Sequence, residues 1–299
     1  MTKNKKKSIL IFSLGILLIY ACGTKTTNTK TYETYTPTPE SEDAIESSAA
    51  TEINTTSSDN TSFEEDSVNT AITLIEMLEI PELKENEVVI SHLGYSVSYN
   101  ETHEQANWIA YELTSEELMG TVERKDRFKP DPDVATGSAT VDDYKKSGYD
   151  RGHLAPAADM KWSEEVMAES FYFSNMSPQV PGFNRGIWKL LEELVRTWAK
   201  EDGALYVVTG GVLQEGLPTI GKNGVSVPQY YYKVVLDYRE PEIKAIAFLI
   251  PNEKTDKEIS TFVVPINRIE ELTGINFFPK LEDTIEEQLE STSEFSIWD

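Results

Sequence analysis

The sequence is poor in reactive side chains and in positive charge. One cysteine, Cys22, stands among 299 residues, which excludes a disulfide within the chain and any zinc site built on paired cysteines. Stability must come from a packed core. Three histidines, His92, His103 and His153, confine imidazole chemistry to few places. Basic residues number 27 against 51 acidic ones, for a formal charge of −24. That balance argues against a polyanionic partner, since Lys and Arg facing phosphates supply most of the affinity for nucleic acid. No long membrane span is evident either. The apolar run "SILIFSLGILLIYA" is short for one and follows Lys3, Lys5, Lys6 and Lys7, so it reads as an export signal.

The run ends at Cys22, and "IYAC" followed by Gly23 resembles a bacterial lipobox. The expectation is a lipoprotein signal peptide over residues 1–22, cleaved to leave a diacylated Cys22. The domain would then be exported and lipid-anchored to the bacterial cell envelope, outside the cytoplasm; ordinary signal-peptidase cleavage and an uncleaved anchor are the alternatives. Residues 23–69 are Thr, Ser, Glu, Asn and Pro with hardly an apolar cluster. Too little can be buried there to offset the entropy of ordering, so a disordered acidic tether is expected.

The 39% hydrophobic content is enough for one domain of about 200 residues, placed at 70–281. "AITLIEMLEIPELKENE" predicts a short helix leading in, ended by Pro81. "EVVISHLGYSVSYN" and "ANWIAYEL" read as a hairpin. "SEEVMAESF" and "GIWKLLEELVRTWAKE" read as helices, the second with Trp188, Leu191, Val195 and Trp198 at spacings of three and four. "ALYVVTGG", "VPQYYYKVVLDY" and "KAIAFLIPN" are strands of one largely antiparallel sheet, and "INRIEELTG" is a helix stopped by Gly274. An acidic tail, 282–299, reads as solvated and frayed.

Charge is unevenly spread. Residues 1–89 hold 15 acidic and 7 basic side chains and the tail holds 7 acidic and no basic ones, which leaves the core domain near −9. Basic residues gather around "SGYDRGHLAPAADM": Arg124, Lys125, Arg127, Lys129, Lys145, Lys146, Arg151, Lys161, Arg185, Lys189 and Arg196. A local positive patch on an acidic body is expected, which reopens the case for a polyanion.

That stretch sets Asp150, Arg151, Gly152 and His153 side by side. An imidazole takes a proton near neutral pH, a glycine permits close approach, and a guanidinium fork holds a phosphate. Those are parts for cutting a phosphodiester. Such cleavage also needs charge neutralised on the leaving oxygen, which a hard divalent cation on oxygen ligands provides. Downstream, "FSNMSPQVPGFNRGIWKLLEELV" offers Asn175, Gln179, Asn184, Arg185 and Glu192. If the chain is helical from Asn184, Glu192 lies about 12 Å further along the axis. Asn184 is then the one direct protein ligand, with waters filling the other positions and Glu192 reaching one of those waters. His92 and His103 flank strand segments without ligand-like spacing and read as structural or surface residues.

At these residues the sequence resembles the DNA/RNA non-specific endonuclease family, the ββα-metal (His-Me finger) nucleases. The family's DRGH signature stands at Asp150 to His153, its Ser-Asn-x-x-Pro-Gln segment at Ser174, Asn175, Pro178 and Gln179, and its Asn-x-Gly-x-Trp segment at Asn184, Gly186 and Trp188. Similarity runs over about 88–281. It implies an α+β fold, a largely antiparallel sheet with flanking helices. It also implies Mg²⁺, or Mn²⁺ in its place, and hydrolysis of DNA and RNA to 5′-phosphate ends. By the same resemblance His153 is the general base, Arg151 and Glu192 stabilise the transition state and the cation's water shell, and Asn175 orients groups around the site. Arg185 and Gln179 are carried as substrate-binding candidates, and an upstream arginine, Arg124 or Arg127, contacts phosphate. Monomer and homodimer are both compatible with the sequence. The competing readings are an inactive nucleic-acid-binding or surface lipoprotein on the same fold, and a phosphodiesterase for a small substrate. For the anchor, radiolabelled palmitate should enter the wild-type chain and not Cys22→Ser; equal labelling would remove the lipid from the account.

Overall fold

The computed structural model describes residues 76–239 and 242–298. The signal peptide, Cys22 and the tether at 23–69 lie outside the described residues. The strands are β1 (Val89–Ser91), β2 (Ser96–Asn100), β3 (Gln105–Thr114), β4 (Asp150–His153), β5 (Met176–Gln179), β6 (Ala204–Gly211), β7 (Thr219–Ile220), β8 (Val225–Ser226), β9 (Tyr230–Asp237), β10 (Lys244–Pro251) and β11 (Val263–Val264). The helices are α1 (Val141–Tyr144), α2 (Glu164–Glu169), α3 (Pro181–Phe183), α4 (Lys189–Asp202), α5 (Ile266–Thr273) and α6 (Asp283–Glu290). Among the described residues no helix is long and apolar enough to cross a membrane.

Seven strands form one antiparallel sheet in the order β1-β2-β3-β6-β9-β10-β11. Its central strands are buried on both faces, which explains their near-continuous apolar runs. Successive side chains alternate between two cores. On β9, Tyr231 and Val235 join Trp188, Leu191, Val195 and Trp198 in one. Tyr232, Val234 and Leu236 join Ile266, Ile269, Phe277 and Leu289 in the other. So α4 covers one face and α5 with α6 the other. The α4 stripe is the one its sequence spacing predicts, and Gly274 ends α5 in the left-handed conformation at φ 65°.

The site is carried outside this sheet. β4 and β5 form a separate two-stranded ladder, with Asp150 opposite Gln179 and His153 opposite Met176. The chain then passes through α3 and a wide π turn, Asn184–Trp188, into α4. Two strands and a helix make the ββα unit, and the α+β architecture expected from the sequence is the one observed.

Two expectations need correction. The lead-in helix is absent from the described part of its segment, where Glu76–Glu79 form a turn. Met77 there has φ 55°, which helical backbone does not allow, and Pro81 prevents continuation. The acidic tail is not frayed: Leu289 of α6 is buried in the second core, and Trp298 packs 4.7 Å from Trp198 with the Lys244 amine above its ring. The acidic count hid its apolar anchors, Leu289, Phe295, Ile297 and Trp298.

This docking places Glu290 in a buried position facing Glu270 of α5 and Glu286 of its own helix. Burial, then the two carboxylates, push Glu290 up to about 8. A carboxyl raised in the folded state adds stability below its unfolded value, and that contribution is lost as pH rises toward 8. Glu290→Gln should therefore raise the melting temperature at pH 8 more than at pH 5; an equal effect at both would contradict this reading.

Candidate active site

Gly152 is required by close approach: a Cβ there would lie 2.1 Å from the Gln179 side chain. With that contact permitted, the short ladder closes and fixes the strand's last residue, His153. The imidazole sits beside Phe171, ring centroids 5.0 Å apart at 89°, and Phe128 at 5.9 Å. Burial, then the Arg124 charge, pull His153 down to about 3, with Arg151 adding to the drop and Asp126 opposing it. The ring is thus neutral across the physiological range. Its Nε2 is sealed from solvent and bonds to nothing. A water can therefore meet the ring only at Nδ1.

Asn175, just before β5, is fully buried. Its Oδ1 accepts from the Ala155 amide at 2.8 Å, and its Nδ2 donates to the Ala155 and Ser170 carbonyls at 2.9 Å each. Its amide is thereby committed to the backbone that follows His153. It holds that backbone from the interior and does not border the cleft described below.

The π turn sets the other wall. Gly186 leaves helical geometry there (φ −108°, ψ −111°), so the continuous helix assumed from Asn184 is broken before α4 begins. Asn184 Nδ2 donates to Asp150 Oδ2 at 2.9 Å, which turns its Oδ1 away from that bond. Arg185 clasps the same carboxylate with Nε at 2.8 Å and Nη2 at 2.6 Å. Burial tends to raise the Asp150 carboxyl, but the Arg185 and Asn184 bonds outweigh it and hold it below the usual range. Trp188 Nε1 reaches the His153 carbonyl at 3.4 Å, tying this turn to β4.

These groups line one cleft of about 940 Å³. His153, Arg151, Asn184, Glu192, Arg124 and Arg185 all border it. Arg124 lines the cleft and Arg127 does not, so between the two upstream candidates only Arg124 faces the site. Gln179 is also absent from the wall, buried behind Gly152 with neither amide atom bonded. Seven cations and four carboxylates border the cleft, so it is locally positive on an acidic chain. Arg151 lies 4.1 Å over Phe128 and Arg124 5.2 Å over Phe171, so one aromatic wall carries both guanidiniums and flanks the imidazole.

Asn184, Asp150 and Glu192 supply only oxygens for a cation, with no thiol in the domain, which suits a hard divalent ion. A different group lies off the cleft: His92, Asp131 and Asp133 offer ligand atoms within 4.8 Å of one another. Asp131 there bonds His92 Nε2 at 2.9 Å, Ser174 Oγ and the Asp133 amide, a set that staples the β1–β2 turn to the loop before α1. His103 bonds Ser226 Oγ at 2.8 Å.

The sequence motifs did not single out Phe128, Phe171, Asp159, Lys233 or, among the cleft cations, Arg196. Asp159 is buried and bonds Arg196 Nη1 at 2.8 Å and Tyr111 Oη at 3.0 Å. The available signal was a charged residue inside an apolar run, as in "YYYKVVLD".

A neutral imidazole, a row of guanidiniums and an oxygen-lined corner together make a phosphate-handling site. The family described as DNA/RNA non-specific endonuclease matches residues 79–284. "Nuclease C1" of Cunninghamella echinulata var. echinulata is 38% identical over 209 residues, 63% of this chain and 82% of that protein. The mitochondrial nuclease EXOG of Danio rerio is 37% identical over 208 residues, 64% of this chain and 61% of its own length. A solved complex of EndoG with EndoGI, described as showing the mechanism of EndoG inhibition, superposes with TM-score 0.64 at 33% identity, over 68% of this chain and 89% of that one. The chain belongs to the DNA/RNA non-specific endonuclease family.

Since Asn175 satisfies three buried backbone groups, Asn175→Ala should lower unfolding stability by roughly 2–4 kcal/mol in denaturant melts; a loss below about 0.5 kcal/mol would contradict its part in holding that backbone.

Proposed function

We propose that the protein is an Mg²⁺-dependent, sugar-non-specific endonuclease that hydrolyses phosphodiester bonds of DNA and RNA and leaves 5′-phosphate ends. The observation that carries this reading is the meeting of a neutral His153, open only at Nδ1, with Arg151, Asn184 and Glu192 in one positive cleft. His153 accepts a proton at Nδ1 from the attacking water. Arg151 and Arg124, held on the Phe128 and Phe171 rings, grip the phosphate and meet the charge that grows on it. Asn184, its amide turned by the bond to Asp150, would offer Oδ1 to a cation, and Glu192 would act near it through solvent. When bound, a divalent cation neutralises charge on the leaving 3′-oxygen. Arg185, clasped to Asp150, contributes by fixing that carboxylate. The breadth of the cleft and its seven cations favour a continuous nucleic-acid backbone over a small phosphodiester.

We further propose that the protein works outside the cytoplasm, held to the bacterial envelope by lipid on Cys22, as its N-terminal sequence supports.

Full-length protein with Mg²⁺ should degrade plasmid DNA and structured RNA, and a chelator should stop both reactions. His153→Ala should slow cleavage at least about 100-fold. If His153→Ala cuts as fast as wild type, the assignment of the base fails.

A further inference from the structure

A second groove adjoins the cleft. It holds about 360 Å³ and is lined by Tyr149, Val180, Pro228, Tyr230, Pro251 and Asn252 among others. Tyr149 borders both spaces, so the groove continues the substrate cleft past one end of the β4–β5 ladder. Asp150 and Gln179 close the ladder at that end, away from His153, and Tyr149 and Val180 are the next residues along their two chains. Four residues of extended chain cover at most about 14 Å. Tyr149 is thus within about four stacked nucleotides of His153, at 3.4 Å each.

The groove differs from the cleft in chemistry. Seven cations border the cleft, whereas no lysine or arginine borders the groove and Glu253 does. Phosphates are repelled there. What the groove offers is flat carbon: Pro218, Pro228 and Pro251, and the Tyr230 ring, 41% exposed at the start of β9. Its walls are also tied together before any ligand arrives. Asn252 accepts from the Val180 amide on Oδ1 at 2.8 Å, and its Nδ2 donates to the Pro178 and Pro228 carbonyls at 3.1 and 3.0 Å.

Charge on the cleft side leads a strand toward this groove. Arg124, Arg185, Lys189 and Arg196 have carboxylate partners in Asp126, Asp150, Glu193 and Asp159. The other three cleft cations, Lys145, Lys146 and Arg151, have no such partner among the described residues, and they flank Tyr149 in the chain. Phosphates held by those three leave the attached bases to lie against Tyr149 and beyond it. An aromatic face accepts any of the bases, since each has a π-face.

We propose that this groove is a nucleobase subsite: an unpaired base of the substrate strand, within about four nucleotides of the cut, enters past Tyr149 and stacks on Tyr230. The inference deepens the nuclease reading and rests on it for the identity of the strand. A base enters only after leaving its duplex partner, so the groove favours single strands and the loops of folded RNA.

The test compares a thymidylate dodecamer with an abasic dodecamer, each fluorescein-labelled and read by anisotropy in chelator so that neither is cut. Tyr230→Ala should weaken binding of the thymidylate strand at least about 5-fold, the low end of what one stacked base contributes, and leave the abasic strand, which has the same phosphates, nearly unaffected. Tyr230→Phe keeps the ring and should bind both strands as wild type does. Equal losses on the two strands, no loss on either, or a Tyr230→Phe as weak as Tyr230→Ala would overturn the proposal.

A cross-link needs no variant. With 5-iodouracil replacing each thymine in turn, irradiation of the wild-type complex should join at least one position to Tyr230; cross-links that reach only cleft residues reject the subsite. Plasmid cleavage by wild type and His153→Ala decides the nuclease reading separately. An active enzyme whose Tyr230→Ala form binds thymidylate normally loses the subsite alone, and an inactive protein that shows the base-dependent loss keeps it.

Discussion

The four-residue ladder between β4 and β5 governs the site. It closes only because Gly152 has no side chain to strike Gln179. Once closed, alternation sends Arg151 and His153 to one face and Asp150 to the other. His153 then lies among aromatic rings that keep it neutral, Arg151 lies over one of those rings, and Asp150 reaches Asn184 and Arg185 across the π turn. Asn175 pins the chain after His153 from beneath. A strand of four residues thus orders both His153 and the Asn184 amide, on which the proposed chemistry rests.

The ladder alone does not hold the helix wall in place. That depends on α4 seated on the seven-stranded sheet by Leu191, Val195 and Trp198. The seat is apolar except where Glu192, Arg196, Asp159 and Lys233 come together. Burying a charge costs several kcal/mol unless it is answered, and Arg196 answers the buried Asp159 through a direct bond. Glu192 borders the cleft, and Lys233 stays buried with its Nζ unbonded. The same core is closed from the far end by Trp298 against Trp198, so the C-terminal residues belong to the scaffold.

Periodic elements were legible in the sequence, since spacing alone reports them. The α4 stripe, the strands and the Gly274 stop all formed where the pattern placed them. Features set by tertiary contact were not. The turn at Glu76–Glu79 follows from Met77 and Pro81 overriding an apolar pattern. Seven acidic residues masked the docking of the C-terminus, because two tryptophan rings outweigh solvated charge there. At the site, motif spacing named His153, Arg151, Asn184 and Glu192, which do share one cleft. It gave no means of choosing Arg124 over Arg127, of placing Gln179 behind Gly152, or of seeing that Phe128 and Phe171 carry the arginines. Those depend on which residues the ladder and the loop before α1 bring together. Lys233 left a trace in the sequence, one cation in an apolar strand, while its burial shows only in the fold.

The central claim is that water, deprotonated at His153, attacks phosphorus while the bond to the 3′-oxygen breaks. Cleavage of an end-labelled duplex in H₂¹⁸O, followed by mass spectrometry of the products, tests it most directly. The account predicts one ¹⁸O per cut, carried on the new 5′-phosphate, with unlabelled 3′-hydroxyl ends. Label on a 3′-phosphate, or cleavage without solvent oxygen in the products, would contradict it.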